Sequence, residues 1–339
     1  MDKSKIKPSF DTNRQLLGKI FPLDAPFTVI LDASEKCNFR CSYCFRSSDN
    51  KRNYYYAARN DLMSMEVFKL AVEQMRNFPQ QPRQISLSHQ GEPLCNPYVP
   101  DMVKYLKKEG FTGRVSIHTN GSLMSEEYAL RLAESDIDRV IFSIQGINKD
   151  AYQHICSARI DFDALCHNIG VLYRNKLHTQ VNVKVVETAI QDGEDKEFYE
   201  IFSPIADRVF IEKVVPIWEN KDYTGLTDTT VSDDTNKYGT QFGRVECCRI
   251  CFDTIVVLPN GDVYPCTQLA MEKCLGNIQE RTMLDLWHSE ERHRIMKEQL
   301  TDARSYVCRQ CYIPQNSVYT AEDWLDPYKN EILERLDCN

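Results

Sequence analysis

A chain of 339 residues with a formal net charge of −8 is long enough for one large domain or two ordinary ones, and two are expected. The negative balance argues against a nucleic-acid partner, because phosphate-tracking surfaces concentrate Lys and Arg, and no apolar run approaches the ~20 residues that span a bilayer. The N-terminal MDKSKIKPSF precedes no apolar signal segment, so the protein is expected to be soluble and cytoplasmic, its fourteen cysteines reduced and serving metal or chemistry.

In chain order, residues 1–216 repeat one theme: a short β-branched run, an amphipathic stretch, then another run roughly thirty residues on. FTVILDAS, RQISLSHQGE, RVSIHTNG, RVIFSIQG, QVNVKVVE and RVFIEKVV predict six strands. SMEVFKLAVEQMRNF, PYVPDMVKYLKKEG and SEEYALRLAESD predict helices between them, the last opened by Ser125 with Glu126 and Glu127 in its first turn. Strands alternating with crossover helices form a parallel α/β sheet whose ligand gathers at the carboxyl ends of the strands. The chemistry-bearing residues fall there: three cysteines after the first strand, HQGEP after the second, then HTNG, SIQG, KVVET and EKVV.

Residues 217–246 are polar, lack either period, contain Gly and Asp turn chemistry, and predict a linker or lid. In 247–339, TIVVL and DVYPC flank Asn260-Gly261, a two-residue hairpin signal. GNI and the helical TMLDLWHSEERHRIMKEQL lead on to CRQC. Spacing alone lets Cys248-x2-Cys251 and Cys308-x2-Cys311 close a zinc ribbon.

Cys37, Cys41 and Cys44 form Cys-x3-Cys-x2-Cys within eight residues. A structural zinc wants four protein ligands, whereas an iron–sulfur cube held by three cysteines keeps one iron open for a small molecule. This loop, with Tyr43 just before its third cysteine, resembles the signature of the radical S-adenosylmethionine (SAM) superfamily. The resemblance implies a partial (β/α)6 barrel, a [4Fe–4S] cluster on Cys37, Cys41 and Cys44, and SAM on the fourth iron, where an electron splits it to a 5′-deoxyadenosyl radical. It also implies that Gln90, Gly91 and Glu92 form the methionine-binding turn, Gln90 replacing a glycine of the family. Thr119, Asn120 and Ser143 would contact SAM, with Tyr43 and Phe45 flanking its adenine. Relatives carry an arginine after the fourth strand where this chain has Cys156, and Arg159 is taken as its substitute.

The stretch from Cys248 to Cys311 resembles the SPASM and twitch extensions of radical SAM enzymes: a cysteine, a hairpin ending GDVYPC, GNI, an LW helix and a final Cys-x2-Cys. By that resemblance Cys248, Cys266, Cys308 and Cys311 hold one auxiliary [4Fe–4S] cluster instead of zinc, leaving Cys247, Cys251 and Cys274 as extras. The expected enzyme abstracts a hydrogen atom from a small hydroxylated substrate, sugar or aminocyclitol-like. It then oxidises the substrate radical through the auxiliary cluster, with electrons from a low-potential donor such as flavodoxin or ferredoxin. Alternatives are an epimerase in which Cys251 or Cys247 returns a hydrogen atom, a peptide or cofactor maturase, and a non-catalytic iron–sulfur or zinc scaffold. His89, His118, Lys184, Glu187, Glu212 and Lys213 stand near strand ends as candidates for proton transfer.

Overall fold

The computed structural model describes residues 3–8, 10, 14–44, 61–215, 235–241, 243–267, 273–301 and 303–338. The six expected strands are β1 (Thr28–Leu31), β2 (Gln84–Ser86), β3 (Arg114–Thr119), β4 (Arg139–Ile144), β5 (Gln180–Val186) and β6 (Arg208–Glu212). They pair in parallel with their sequence neighbours, the arrangement that successive βα crossovers produce. The helices are α1 (Met65–Met75), α2 (Val99–Lys108), α3 (Glu126–Glu134), α4 (Lys149–Cys156), α5 (Phe162–Asn175) and α6 (Glu194–Phe202). Ser64, Ser125 and Asp161 each accept a backbone N–H from the first turn of α1, α3 and α5, meeting donors that the helix itself leaves unpaired.

Alternation along the strands builds the core and the site together. Val115 and Ile117 of β3 are buried, as are Val181, Val183 and Val185 of β5. The alternate positions, Arg114, Ser116 and His118 on β3, line a cavity inside the curved sheet. No helix among the described residues is long and apolar enough to cross a membrane.

The C-terminal part adds β7 (Thr254–Val257), β8 (Asp262–Tyr264) and β9 (Gly276–Asn277). Although the sequence reading sets this hairpin apart from the barrel, β7 runs parallel to β1, with Thr28 opposite Thr254 and Leu31 opposite Val257. Among the described residues the sheet therefore continues past β1 to nine strands, and an edge of β1 that would present unpaired backbone groups is covered. The hairpin loop has three residues instead of two. Pro259 starts the turn, Gly261 N–H donates to Leu258 O (2.9 Å), and Gly261 has φ of 88°, as in a type I turn followed by a left-handed glycine. Trp287, ending α7 (Met283–Trp287), is fully buried and donates its indole N–H to Leu23 O (3.0 Å). The long α8 (Glu290–Leu300) packs on the C-terminal helix Lys329–Asp337. Of the linker or lid expected over 217–246, residues 235–241 and 243–246 are described. Lys213 N–H donates to Lys237 O (2.9 Å), which brings this stretch back to the end of β6.

Candidate functional site

The cysteine loop leaves β1 and lies against the end of α4. Arg40 N–H donates to Cys156 O (3.1 Å) and Ser42 N–H to Ile155 O (2.8 Å), so carbonyls that α4 cannot satisfy itself hold the loop. Cys37 is exposed, and Cys41 and Cys44 are half-buried. Cys156 is buried and places its Sγ 3.6 Å from Cys41 Sγ. Hydrogen bonding to Cys156, then burial, pushes the Cys41 thiol well up. Sequence reasoning saw Cys156 only as a missing arginine. Arg159, its expected substitute, is exposed on the α4–α5 connection, and Phe45 lies outside the described residues.

The turn after β2 is wedged against this loop. A Cβ on Gly91 would stand 2.0 Å from Ser34 O and 2.6 Å from Lys36 O, a close backbone approach that only glycine allows. Glu92 N–H donates to Lys36 O (2.6 Å). Gly91→Ala should therefore lift the turn off the loop and weaken SAM binding by at least about tenfold, with cluster iron retained. Titration of SAM into the reconstituted variant checks this, and an unchanged affinity would refute it.

The Glu92 carboxylate, 3% exposed, accepts from Leu94 N–H (3.0 Å), the Thr119 hydroxyl (2.5 Å) and Asn120 N–H (2.7 Å). Burial pushes its pKa up to about 7 against the pull of those three donors. The Asn120 amide donates to Asn38 Oδ1 (2.9 Å) and accepts from Ser122. Glu92, Thr119 and Asn120 thus brace the ends of β2 and β3 against the cysteine loop, and Ser143 closes β4 with its carbonyl accepting from the Gln145 amide (2.9 Å). Gln90 Nε2 donates to Thr267 O (2.8 Å), the residue after Cys266, and His89 bridges the same carbonyl (3.2 Å) and Asp32 (3.4 Å). This contact is a use for a side chain where the family pattern has none. Gln90 Oε1 is buried without a hydrogen-bond partner, which suits a donor such as the SAM ammonium.

Cys248, Cys251, Cys266, Cys308 and Cys311 line one small cavity with Gln299 and Ile313. A [4Fe–4S] cube takes four thiolates, and Cys251 is the surplus one relative to the expected set. Gln299 Nε2 donates to Cys308 Sγ (3.3 Å) and Ile313 N–H to Cys311 Sγ (3.4 Å), contacts of the kind that tune a cluster's potential. Burial pushes the Cys248, Cys251 and Cys311 thiols up, so their ionised forms need compensating metal charge. Cys247 points elsewhere, its thiol on Gln299 O (3.3 Å), and Cys274 is exposed.

A pocket of about 430 Å³ opens at the carboxyl ends of the strands, running from Tyr43 past Lys184, Glu212 and Lys213 to Ile313. Ile313 also lines the thiol cavity. Among the described residues neither Cys247 nor Cys251 lines this pocket; the Cys251 thiol lies with the other cysteines and the Cys247 thiol faces a backbone carbonyl. Lys184 Nζ lies 2.7 Å and Lys237 Nζ 3.1 Å from the Glu212 carboxylate. Burial alone would raise Glu212, but the two ammonium groups override it and hold its pKa at about 2. Glu187 accepts from Val214 N–H (3.0 Å). The His118 ring opens on the interior cavity yet is ringed by protein, and burial followed by Lys184 and Lys237 holds its pKa down at about 3. It is therefore a neutral imidazole at physiological pH.

The radical SAM superfamily matches residues 32–203, more than half of the chain, and the SPASM iron–sulfur cluster-binding domain matches residues 247–312. The tungsten-containing aldehyde ferredoxin oxidoreductase cofactor-modifying protein of Pyrococcus furiosus is 24% identical over 298 residues, 77% of this chain and 81% of its own. The serine-type anaerobic sulfatase-maturating enzyme of Bacteroides thetaiotaomicron is 23% identical over 337 residues, 84% of this chain and 80% of its own. Among solved structures, anSMEcpe with bound AdoMet shares the fold at a TM-score of 0.59 and 19% identity, covering 92% of this chain and 98% of that one. BtrN in complex with AdoMet and 2-DOIA does so at 0.52 and 19%, covering 88% and 97%. SAM, a [4Fe–4S] cluster and auxiliary iron–sulfur chemistry come with these two domains. The chain is an enzyme of the radical SAM superfamily with a SPASM domain at its C-terminal side.

Proposed function

We propose that this enzyme oxidises a small hydroxylated substrate, sugar or aminocyclitol-like, by removing a hydrogen atom from a carbinol carbon and passing the remaining electron to an auxiliary cluster in the thiol cavity. The observation that carries this reading is the pocket's span. One end is Tyr43, between Cys41 and Cys44, and the other is Ile313, which the pocket shares with the five-cysteine cavity. A substrate seated there lies between the two metal sites. Its volume of about 430 Å³ falls within the range of small-molecule sites.

Bound SAM and its cluster supply the group that abstracts hydrogen. Cys37, Cys41 and Cys44 hold that cluster, and Gln90, Gly91 and Glu92 seat the methionine end of SAM, with Thr119, Asn120, Ser143 and Tyr43 around it. Cys248, Cys266, Cys308 and Cys311 hold the auxiliary cluster. Glu212, ionised because Lys184 and Lys237 flank it, accepts a hydrogen bond from a substrate hydroxyl. Conversion of CH–OH to C=O releases one hydrogen atom, one electron and one proton, and a flavodoxin- or ferredoxin-type donor supplies the electron that starts each turnover.

A peptide substrate is the second reading, favoured by similarity to the sulfatase-maturating enzyme along 84% of the chain. Anaerobic turnover with SAM, a reductant and a panel of polyols, aminocyclitols and Ser- or Cys-containing peptides separates the two. The expected result is 5′-deoxyadenosine together with a polyol or aminocyclitol product lacking two hydrogens. A product isomeric with the substrate and heavier only by one deuterium taken from D2O would replace oxidation by epimerisation, and turnover of peptides alone would replace the substrate class.

A further inference from the structure

Cys156 belongs to neither set of cluster ligands and takes no part in the proposed chemistry, yet its Sγ lies 3.6 Å from the Sγ of Cys41. A thiol is a weak donor and a sulfur a weak acceptor, so the pair forms a hydrogen bond at one ligand of the SAM-binding cluster.

Both sides of this contact are fixed by the fold. Cys156 is the last residue of α4 and is 1% exposed. At the other end of α4 the Asn148 side chain accepts from Asp150 and Ala151 N–H, and after Cys156 the chain leaves through Ser157, whose φ is 52° and whose N–H returns to Tyr152 O. That left-handed step stops the helix at Cys156. On the loop side, the residues flanking Cys41 are both tied to α4, Arg40 N–H to Cys156 O (3.1 Å) and Ser42 N–H to Ile155 O (2.8 Å). The Cys41 backbone therefore cannot withdraw from Cys156, and iron binding needs only a turn of its side chain. Fully buried Tyr152, edge-on to Phe39 with ring centroids 5.9 Å apart, packs in the same core.

An iron-bound thiolate has no proton to give, so once Cys41 is a ligand the S–H of the pair belongs to Cys156. A hydrogen bond to a cluster sulfur favours the state that carries the extra electron, and more strongly where water is excluded. Its effect is to make the first electron easier to deliver.

We propose that Cys156 is a positioning residue of the SAM-binding site, whose S–H donates to the Cys41 sulfur and raises the reduction potential of the cluster that Cys37, Cys41 and Cys44 hold. The proposal concerns that cluster alone and is independent of which substrate the enzyme oxidises.

The test is an anaerobic redox titration of the reconstituted enzyme followed by electron paramagnetic resonance, reading the signal that added SAM perturbs. Cys156→Ala and Cys156→Val, one smaller and one larger than cysteine, both lack a donor. Each is expected to keep about eight irons and the parental far-UV circular dichroism. Each should lower the midpoint of that signal by about 59 mV, a tenfold loss in the ratio of reduced to oxidised cluster for one electron. Cys156→Ser keeps a hydroxyl donor and should restore most of the shift, which a change in packing alone would not do. An unmoved midpoint in the Ala and Val variants, or an equal fall in Cys156→Ser, overturns the proposal. So does a folded Ala or Val variant holding only about four irons, because the thiol would then serve to build the loop. The contact is also checked in the unaltered chain, whatever the variants do. With iron removed, diamide should oxidise the two thiols to a Cys41–Cys156 disulfide, both hydrogens passing to the diamide, and peptide mapping that finds no such link would equally sink the proposal.

Discussion

Replacing Cys37, Cys41 and Cys44 together by alanine should abolish formation of 5′-deoxyadenosine from SAM and reduce iron from about eight to about four atoms per chain. The three thiols are the only side chains on the β1 loop with the chemistry to hold a cube that leaves one iron open. The loop itself should keep its path in the variant. Its position depends on backbone bonds from Arg40 and Ser42 to the end of α4 and on the Asn38–Asn120 contact, none of which the substitutions touch. Far-UV circular dichroism should accordingly match the parent. Iron staying near eight, or 5′-deoxyadenosine still accumulating, would place the SAM-binding cluster elsewhere. Retention of four irons in the variant also separates the two sites, because the thiol cavity draws every cysteine from residues 248–311.

Glu92→Ala should cost both stability and SAM binding. The substitution strands Leu94 N–H, the Thr119 hydroxyl and Asn120 N–H in a site where the carboxylate was 3% exposed. Each unmet buried donor costs about 1–3 kcal/mol, so a loss of a few kcal/mol is expected, read as a lower midpoint in urea. The wild-type carboxyl also gives a pH signature. Its folded pKa of about 7 lies above the usual carboxylate value of 4.5, so between those values the folded chain keeps a proton that the unfolded chain has lost. Glu92 therefore makes stability fall as pH rises from about 4.5 to about 7, and level off above. Glu92→Gln should flatten that slope. An ammonium docking beside Glu92 favours its ionised form, so SAM binding at pH 6 should release protons, seen as a heat that varies with the buffer's ionisation enthalpy. A wild-type enzyme with no such buffer dependence, or a Glu92→Ala variant with parental SAM affinity, would move the ammonium away from this carboxylate.

Much of the site was readable before any coordinate. Cys-x3-Cys-x2-Cys and HQGEP are local arrangements whose roles are implied by their resemblance to the radical SAM signature, and both lie at strand ends because each strand's carboxyl end is where a βα loop begins. The brace was not readable. Glu92 stands 27 and 28 residues from Thr119 and Asn120, and only parallel pairing of β2 with β3 brings the two turns together. Lys237 is a similar case. It lies in a stretch without helical or strand periodicity, yet its ammonium shares Glu212 with Lys184 and lines both cavities.

The sequence by itself determined the six strands and the first three helices between them, the place where Ser125 opens the third of those helices, and a hairpin at Gly261, because side-chain periodicity, capping and turn geometry act over a few residues. Tertiary structure alone decided that β7 extends the barrel sheet beside β1, that Cys156 meets Cys41 across 115 residues, and that five thiols instead of four share one cavity. It also decided that Cys247, a neighbour of Cys248 in the chain, faces away from that cavity. These outcomes depend on which surfaces bury one another once the chain has folded. Such choices are made between residues far apart in sequence, where spacing leaves no mark.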